Sequence, residues 1–343
     1  AMSSADRSQV SVARLRQLAQ DALIKLGVPQ KDAAVTADVL VDAELSGVES
    51  HGLMRLPVYA KRLADGAIDP RPDIRSTVNG ATALMDGGNG LGPVVAGRAA
   101  DLCSQLAGQY GVGVVSVRRS NHFGTAAYYS RRMAERGCIG FCASLAGPTM
   151  APFGGMDLLL GTNPFSIAFP GGKLTFCADM ASSATAKGKI RIYAQKGLSI
   201  PLGWALDENG NDTTDPAAAI KGILLPMAGH KGYALAMAVD ALCGLLSGAA
   251  LSGESTSVFQ GSQPANTGHF IAAVDIGHFL DVDDFARRAE DWFNTIRTSR
   301  TRPGFSRILI PGEPEALSRA AAEETVSVLT HTLEQAEQLA SRS

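Results

Sequence analysis

Between Gly66 and Pro72 the chain changes its rhythm, and that change limits what it can fold into. Before it, apolar residues recur at three- and four-residue steps. Residues 10 to 64 therefore read as helical throughout, with a first helix near Val10 to Leu26 and a break at Gly27-Val28-Pro29. A second helix opens at Lys31-Asp32, with Val35, Val39 and Ala43 as its buried stripe and Gly47 at its C-terminal cap. After the break, the apolar runs Ala81 to Met85, Val112 to Val117, Ile139 to Ser144 and Phe165 to Phe169 are strand-length and bounded by glycine or proline. A helical start followed by short strands points to an α+β architecture rather than a repeat or a bundle.

At the hinge between the second helix and the next stands Gly47-Val48-Glu49-Ser50-His51-Gly52-Leu53-Met54-Arg55. Leu53, Leu56, Ala60 and Leu63 give the third helix an apolar face, and Arg55, Tyr59 and Arg62 fall on another. A helix beginning at about Ser50 puts His51 and Arg55 one turn apart on one side. A titratable donor then lies beside a fixed cation, which can protonate one end of a substrate while holding its carboxylate. The plainer alternative is that Ser50 only caps the helix and that His51 and Arg55 are solvated.

Composition removes several classes of function. Hydrophobic residues at 45%, charged residues at 19% and a formal charge of -2 describe an ordinary globular chain with no basic excess. Nothing favours nucleic acid or an anionic membrane as partner, and no apolar run reaches the ~18 residues of a membrane span. Cys103, Cys138, Cys142, Cys177 and Cys243 are scattered in apolar runs and read as reduced core residues of a cytoplasmic protein, with no zinc pattern and no metal site expected.

Further along, Asp86-Gly87-Gly88-Asn89-Gly90-Leu91-Gly92-Pro93 leads into a helix near Val94 to Leu106, but its glycines do not give G-x-G-x-x-G. It reads as a turn from strand to helix, so any nucleotide site is not of the Rossmann kind. Ser120 to Tyr128 is a polar, glycine-containing opening to another helix, suited to an anion, where His122 is either a contact to that anion or a second proton donor. Asp179 follows a short strand near Leu174 to Ala178 and is the best-placed carboxylate for orienting a histidine, with Lys187 close by in sequence. Pro226 to Gly232 introduces an apolar helix, Tyr233 to about Leu246, expected to be buried between domains or subunits. Residues 248–268 read as a loop, Phe270 to Ile276 as a last strand, Asp284 to Arg300 as an amphipathic helix, and Glu315 to Ala340 as a closing helix.

Seven motifs in order, Gly47 to Arg55, Asn121-His122-Phe123-Gly124, Gly161-Thr162-Asn163-Pro164, Asp179-Met180-Ala181, Gly188-Lys189-Ile190, Gly203 to Asp207 and Gly229-His230-Lys231-Gly232, resemble the type-2 malate/L-lactate dehydrogenase family. The resemblance covers roughly residues 10 to 315, and it is strongest to the Δ1-piperideine-2-carboxylate/Δ1-pyrroline-2-carboxylate reductases. It implies an α/β (α+β) fold with a non-Rossmann nicotinamide-binding domain on a mostly antiparallel sheet, helical N- and C-terminal parts, and a homodimer. The implied division is a helical part, 1–72, joined by a C-terminal helix, 313–343, and a cofactor and substrate part, 73–312, with an inserted helical segment around 215–268.

The implied function is NADPH-dependent reduction of cyclic 2-imino acids to L-pipecolate and L-proline, with His51 as proton donor and NAD as a possible cofactor in place of NADP. The alternative is an NAD(P)-dependent 2-hydroxy acid dehydrogenase of malate, L-lactate or ureidoglycolate type. On this resemblance Ser50, His51, Asp179 and Lys187 are the catalytic set. Arg55, Thr162, Tyr128 and Met180 face the substrate. His122, Phe123, Gly124, Thr125, Ala126, Asp179, Met180, Ala181, His230, Lys231, Arg302 and Gly304 line the cofactor. Two other classes compete. A Ser-His-Asp hydrolase built from Ser50, His51 and Asp179 is disfavoured because adjacent Ser and His do not easily reach nucleophile-base geometry and no G-x-S-x-G elbow occurs. A non-catalytic helical dimerisation or binding protein would bind no cofactor.

Overall fold

The computed structural model describes residues 7–255, 261–322 and 324–341. Strand β1 (Arg7–Ser11) leads into helix α1 (Val12–Lys25), whose N-terminus is capped by the Ser11 hydroxyl accepting from the Arg14 N–H at 3.1 Å. Helix α2 (Gln30–Leu45) follows, and then, in place of one continuous helix from Ser50, two 3₁₀ turns, Glu49–His51 and Leu53–Arg55, precede α3 (Leu56–Ala64). Gly52 separates the turns because its backbone is pressed against Glu44, where a Cβ would run into Oε1. The expected single helical face for His51 and Arg55 is thereby replaced by a kinked loop.

The closing segment also departs from expectation. It is not one helix but α10 (Glu313–Ala321), strand β11 (Thr325–Leu329) and α11 (Thr330–Ser341). Thr325-Val326-Ser327-Val328 alternates polar and β-branched residues, which fits a pleated, half-buried strand. Its antiparallel partner is β1, with Arg7 opposite Leu329 and Ser11 opposite Thr325. The first residues, expected to start a helix at Val10, form that strand instead. Leu15, Leu18 and Leu23 of α1, Leu40 of α2, Leu56 and Tyr59 of α3, Val326 and Val328 of β11 and Ala336 of α11 share one core.

The middle of the chain builds a seven-stranded sheet. Its strands are β2 (Arg75–Asn79), β3 (Thr82–Asp86), β4 (Val112–Ser120), β5 (Cys138–Ser144), β6 (Phe165–Phe169) and β7 (Phe176–Met180), with β10 (Thr267–Asp275) closing it after α6 (Lys187–Gln195), β8 (Ala205–Leu206), α7 (Pro216–Lys221), β9 (Ile223–Leu224) and α8 (His230–Asp240). The order is β2-β3-β4-β10-β5-β6-β7, and only the β3–β4 pair is parallel. Asp179 therefore lies within β7, opposite Ser166, rather than beyond the strand. Helices α4 (Gly92–Tyr110) and α5 (Ala126–Ala134) cover the sheet, joining Val95, Ala99 and Cys103 to Val115, Met133, Cys142 and Ile271 in a second core. After β10 comes α9 (Val282–Arg297).

Helix α8 begins at His230 and passes into a π-helical turn, Ala241–Leu245. It is buried on one side only: Ala236, Val239 and Cys243 are covered, whereas Leu235, Met237, Leu245 and Leu246 are exposed. Part of the expected 248–268 loop, residues 256–260, lies outside the described residues. The five cysteines are buried and unbonded, and among the described residues no helix is long and apolar enough to cross a membrane and no three metal-ligating side chains cluster.

Candidate active site

The end of β4 delivers Ser120 to Gly124 against the loop that carries Ser50 and His51. Gly124 has φ +85° and passes so close to α2 that a Cβ would stand 2.5 Å from Val39 Cγ1. From the other side Gly92, at the start of α4, presses on the Asn121 and His122 carbonyls, and the Asn121 side chain donates to the Gly90 carbonyl at 2.8 Å. The glycine-rich stretch 86–93 thus turns a strand into a helix, as read from sequence, and also buttresses the histidine loop.

Five side chains, Ser50, His51, Arg55, His122 and Tyr59, meet at this junction. Ser50 Oγ and His51 Nδ1 are 2.9 Å apart, and Arg55 Nε donates to the Ser50 carbonyl at 2.7 Å, which fixes the guanidinium beside the imidazole. His51 stacks on His122, ring centroids 5.6 Å apart. The His122 Nδ1 is 2.7 Å from the Tyr59 hydroxyl. Loss of water, and then the Arg55 charge, push the His51 imidazole down to about 4. Burial, then His51, Arg55 and His269, hold His122 well below the ordinary histidine range. Both rings are neutral at pH 7.

Sequence reasoning placed Tyr59 on a helix face without a role, and it passed over three supports. Glu44 accepts the Leu53 N–H at 2.8 Å beneath the Ser50–His51 loop, and burial pushes its carboxyl up to about 7. His269 is fully buried, bonded to Ser120 Oγ (2.7 Å) and Ser144 Oγ (2.8 Å), and stacked on Phe123 at 4.6 Å. Arg191 of α6 acts on the Arg55 charge and on Lys187, lowering both alongside burial. The signals were there in part: Tyr59 is four residues from Arg55, and Arg191 four from Lys187.

The remaining expected residues fall into separate groups. The Thr162 carbonyl accepts the Ser182 N–H at 2.7 Å, and the Ser182 carbonyl accepts the Met227 N–H at 2.8 Å, which ties Thr162 to the segment leading to His230 and Lys231. His230 is exposed, edge-on to Phe153. Lys187 Nζ donates to the Ile220 carbonyl at 3.4 Å. Tyr128, expected at the substrate, has its hydroxyl donating to Asp38 at 2.7 Å and its ring under Arg132. Arg302 stacks over Phe305 at 4.5 Å on a loop of its own with Gly304.

A groove of about 470 Å³ runs from Ser46 and Val48 past Thr125, Ala127, Asp179 and Met180 to Gly312 and Arg319. Asp179 is met there by the Ala127 N–H, and loss of water, against that bond, pushes its carboxyl up to about 6. Its hydrogen-bond partner is thus the start of α5, where sequence had suggested a histidine. Arg319 donates to Ser46 Oγ at 2.9 Å, and Arg131 pairs with Asp42 at 2.5 Å. The volume and the mixed lining are those of a small-molecule site.

The model of the family described as malate/L-lactate dehydrogenase matches residues 10–336. The chain belongs to the malate/L-lactate dehydrogenase family. It is 42% identical over 301 residues to the L-sulfolactate dehydrogenase of Methanocaldococcus jannaschii, covering 88% of this chain and 87% of that one. The solved structure of that organism's sulfolactate dehydrogenase superposes with a TM-score of 0.92 at 38% identity, over 97% and 96% of the two chains. The malate dehydrogenase of Pyrococcus horikoshii is 41% identical over 85% of this chain and 83% of its own. The solved Δ1-piperideine-2-carboxylate reductase of Pseudomonas syringae is 29% identical, with a TM-score of 0.86 over 97% and 99% of the chains. Membership of the malate/L-lactate dehydrogenase family makes the protein an NAD(P)-dependent oxidoreductase acting on a carbon next to a carboxylate.

Proposed function

We propose that this member of the malate/L-lactate dehydrogenase family oxidises a 2-hydroxy acid to the 2-oxo acid with NAD(P)+ and catalyses the reverse reduction. The observation that carries the reading is a neutral His51 held by Ser50 beside Arg55. An uncharged imidazole is a base ready for a hydroxyl proton, and Arg55 is the natural clamp for the adjacent carboxylate. With Nδ1 donating to Ser50 Oγ, Nε2 keeps its lone pair. The hydroxyl proton passes to Nε2 as the carbon loses its hydride and the C–O bond becomes C=O. Once a carboxylate sits on Arg55, part of the charge that depresses His51 is cancelled, so the imidazolium formed is less costly than in the free protein.

The groove fits a dinucleotide by its donors: the first turn of α5 and Arg319 suit phosphate, and Val48, Met180 and Ile310 offer apolar surface to a ring. When bound there, the nicotinamide supplies the hydride acceptor. Asp179 is placed to accept from a ribose hydroxyl. We further read α6 as selecting substrates with a second anionic group, because Arg191 and Lys187 lie one turn apart and Arg191 acts on Arg55. Malate and sulfolactate, named for the relatives, both carry one.

A second reading, reduction of a cyclic 2-imino acid, is favoured by the likeness to the Pseudomonas syringae reductase. Nicotinamide absorbance followed with malate, sulfolactate and lactate in one direction and Δ1-piperideine-2-carboxylate in the other separates the two, with NADP(H) and NAD(H) in parallel. Faster turnover of the imine than of any oxo acid would overturn the first reading. The exposed Leu235, Met237, Leu245 and Leu246 support a homodimer packed on α8, which sedimentation velocity tests. The shared core of α1–α3, β11 and α11 likewise supports grouping 1–72 with 313–343.

A further inference from the structure

Tyr59 is 2% exposed, and its hydroxyl makes a single hydrogen bond among the described residues, to His122 Nδ1 at 2.7 Å. Burial raises the phenol above its ordinary value, so it keeps its hydrogen. A buried O–H must find an acceptor, and a neutral imidazole has one accepting and one donating nitrogen. If Nδ1 carried the ring hydrogen, it would donate to the phenol oxygen and leave the hydroxyl hydrogen without a partner. If both nitrogens were protonated, the ring would carry a positive charge against His51, Arg55 and His269, none of them an acid.

We infer that Tyr59 is a positioning residue that locks His122 in the tautomer with its hydrogen on Nε2, so that His122 meets a ligand oxygen as an uncharged donor. The loop is built to hold that ring still. Phe123, next in sequence, is clamped by the stacked His269, and the Phe123 carbonyl accepts the Tyr129 hydroxyl at 2.5 Å. Face-to-face stacking lets no proton pass between His51 and His122, because ring lone pairs and N–H bonds lie in the ring plane. The two histidines therefore divide the work: His51 moves the proton, and His122 donates a hydrogen bond to the oxygen it leaves or joins. That last clause rests on the 2-hydroxy acid reading; the tautomer does not.

The test is long-range ¹H–¹⁵N correlation on the whole protein labelled at histidine, with the His122 signals identified by their loss in His122→Asn. The expected result at neutral pH is a protonated Nε2 and an unprotonated Nδ1. In Tyr59→Phe the two tautomers should mix and kcat should fall about tenfold, the scale of one hydrogen bond, with the Kd for the nicotinamide cofactor unchanged. Hydrogen on Nδ1 in the unsubstituted protein, a doubly protonated ring, or a Tyr59→Phe variant with an unaltered tautomer would each overturn the inference. A clean tautomer result with no turnover of any 2-hydroxy acid would instead sink the functional reading alone.

Discussion

The imidazoles of His51 and His122 lie face to face, centroids 5.6 Å apart and planes inclined by 24°. Two cationic rings at that distance, beside Arg55, would repel one another strongly in a site short of water. The arrangement therefore favours neutral rings and leaves each to act through its edge. For His51 the Nδ1 edge meets Ser50, and on the proposed reading the Nε2 edge is the one that serves substrate.

Oxidation and reduction should respond to pH in opposite senses. His51 is held down at about 4, first by burial and then by Arg55. Oxidation needs the neutral ring, so its kcat/KM should be level from about pH 5 upward and fall below about 4. Reduction needs the imidazolium, so its kcat/KM should decline as pH rises above about 4. His51→Ala should lower both by about 100-fold or more. Paired pH profiles check this; parallel slopes in the two directions would remove His51 from the proton transfer.

Arg55→Met should raise KM for the carboxylate substrate by about 100-fold, the scale of a lost charge-assisted pair. It should also move the acid limb of the oxidation profile upward, because the Arg55 charge is the second cause of the depressed His51. Arg55→Lys would keep the charge but lose the fork held by Ser50. Its acid limb should stay in place while KM still rises.

Much of this was legible in the chain. The switch of rhythm after Gly66 gave the helical start and the strands, and motif order brought out the Ser50-His51-Arg55 cluster and the His122 loop. What was hidden has physical reasons. Strand β11 pairs with β1 across more than three hundred residues, which no local window registers, so 313–343 read as one helix. The Gly52 break arises from contact with Glu44, which α2 supplies. His269 sits in an apolar strand, and its importance comes from two serines on other strands. Tyr128 was given a substrate contact by the resemblance alone, and its bond to Asp38 depends on how α5 packs on α2, which the local sequence does not register.

Arg191→Ala should separate substrates by charge. If α6 receives a second anionic group, KM for malate or sulfolactate should rise about tenfold while lactate is little changed. Steady-state kinetics on the three substrates decides it. An equal effect on all three would show that Arg191 acts only through the field at Arg55 and selects nothing.

Glu44 makes the Ser50–His51 loop a source of pH-dependent stability. Its carboxyl is buried, stands at about 7 against an ordinary value of 4.5, and owes this to lost water more than to Glu49. The folded protein thus holds this proton more tightly than the unfolded chain does. The favourable contribution is complete below about 4.5 and is lost as pH rises through about 7, on the order of 3 kcal/mol in all. Glu44→Gln keeps an oxygen for the Leu53 N–H and cannot ionise. Its Tm relative to the unsubstituted protein should therefore climb between pH 5 and 8, by several degrees on the usual scale of about 2–4 °C per kcal/mol for large domains. A difference in Tm that stays constant across that range would show that Glu44 does not titrate within it.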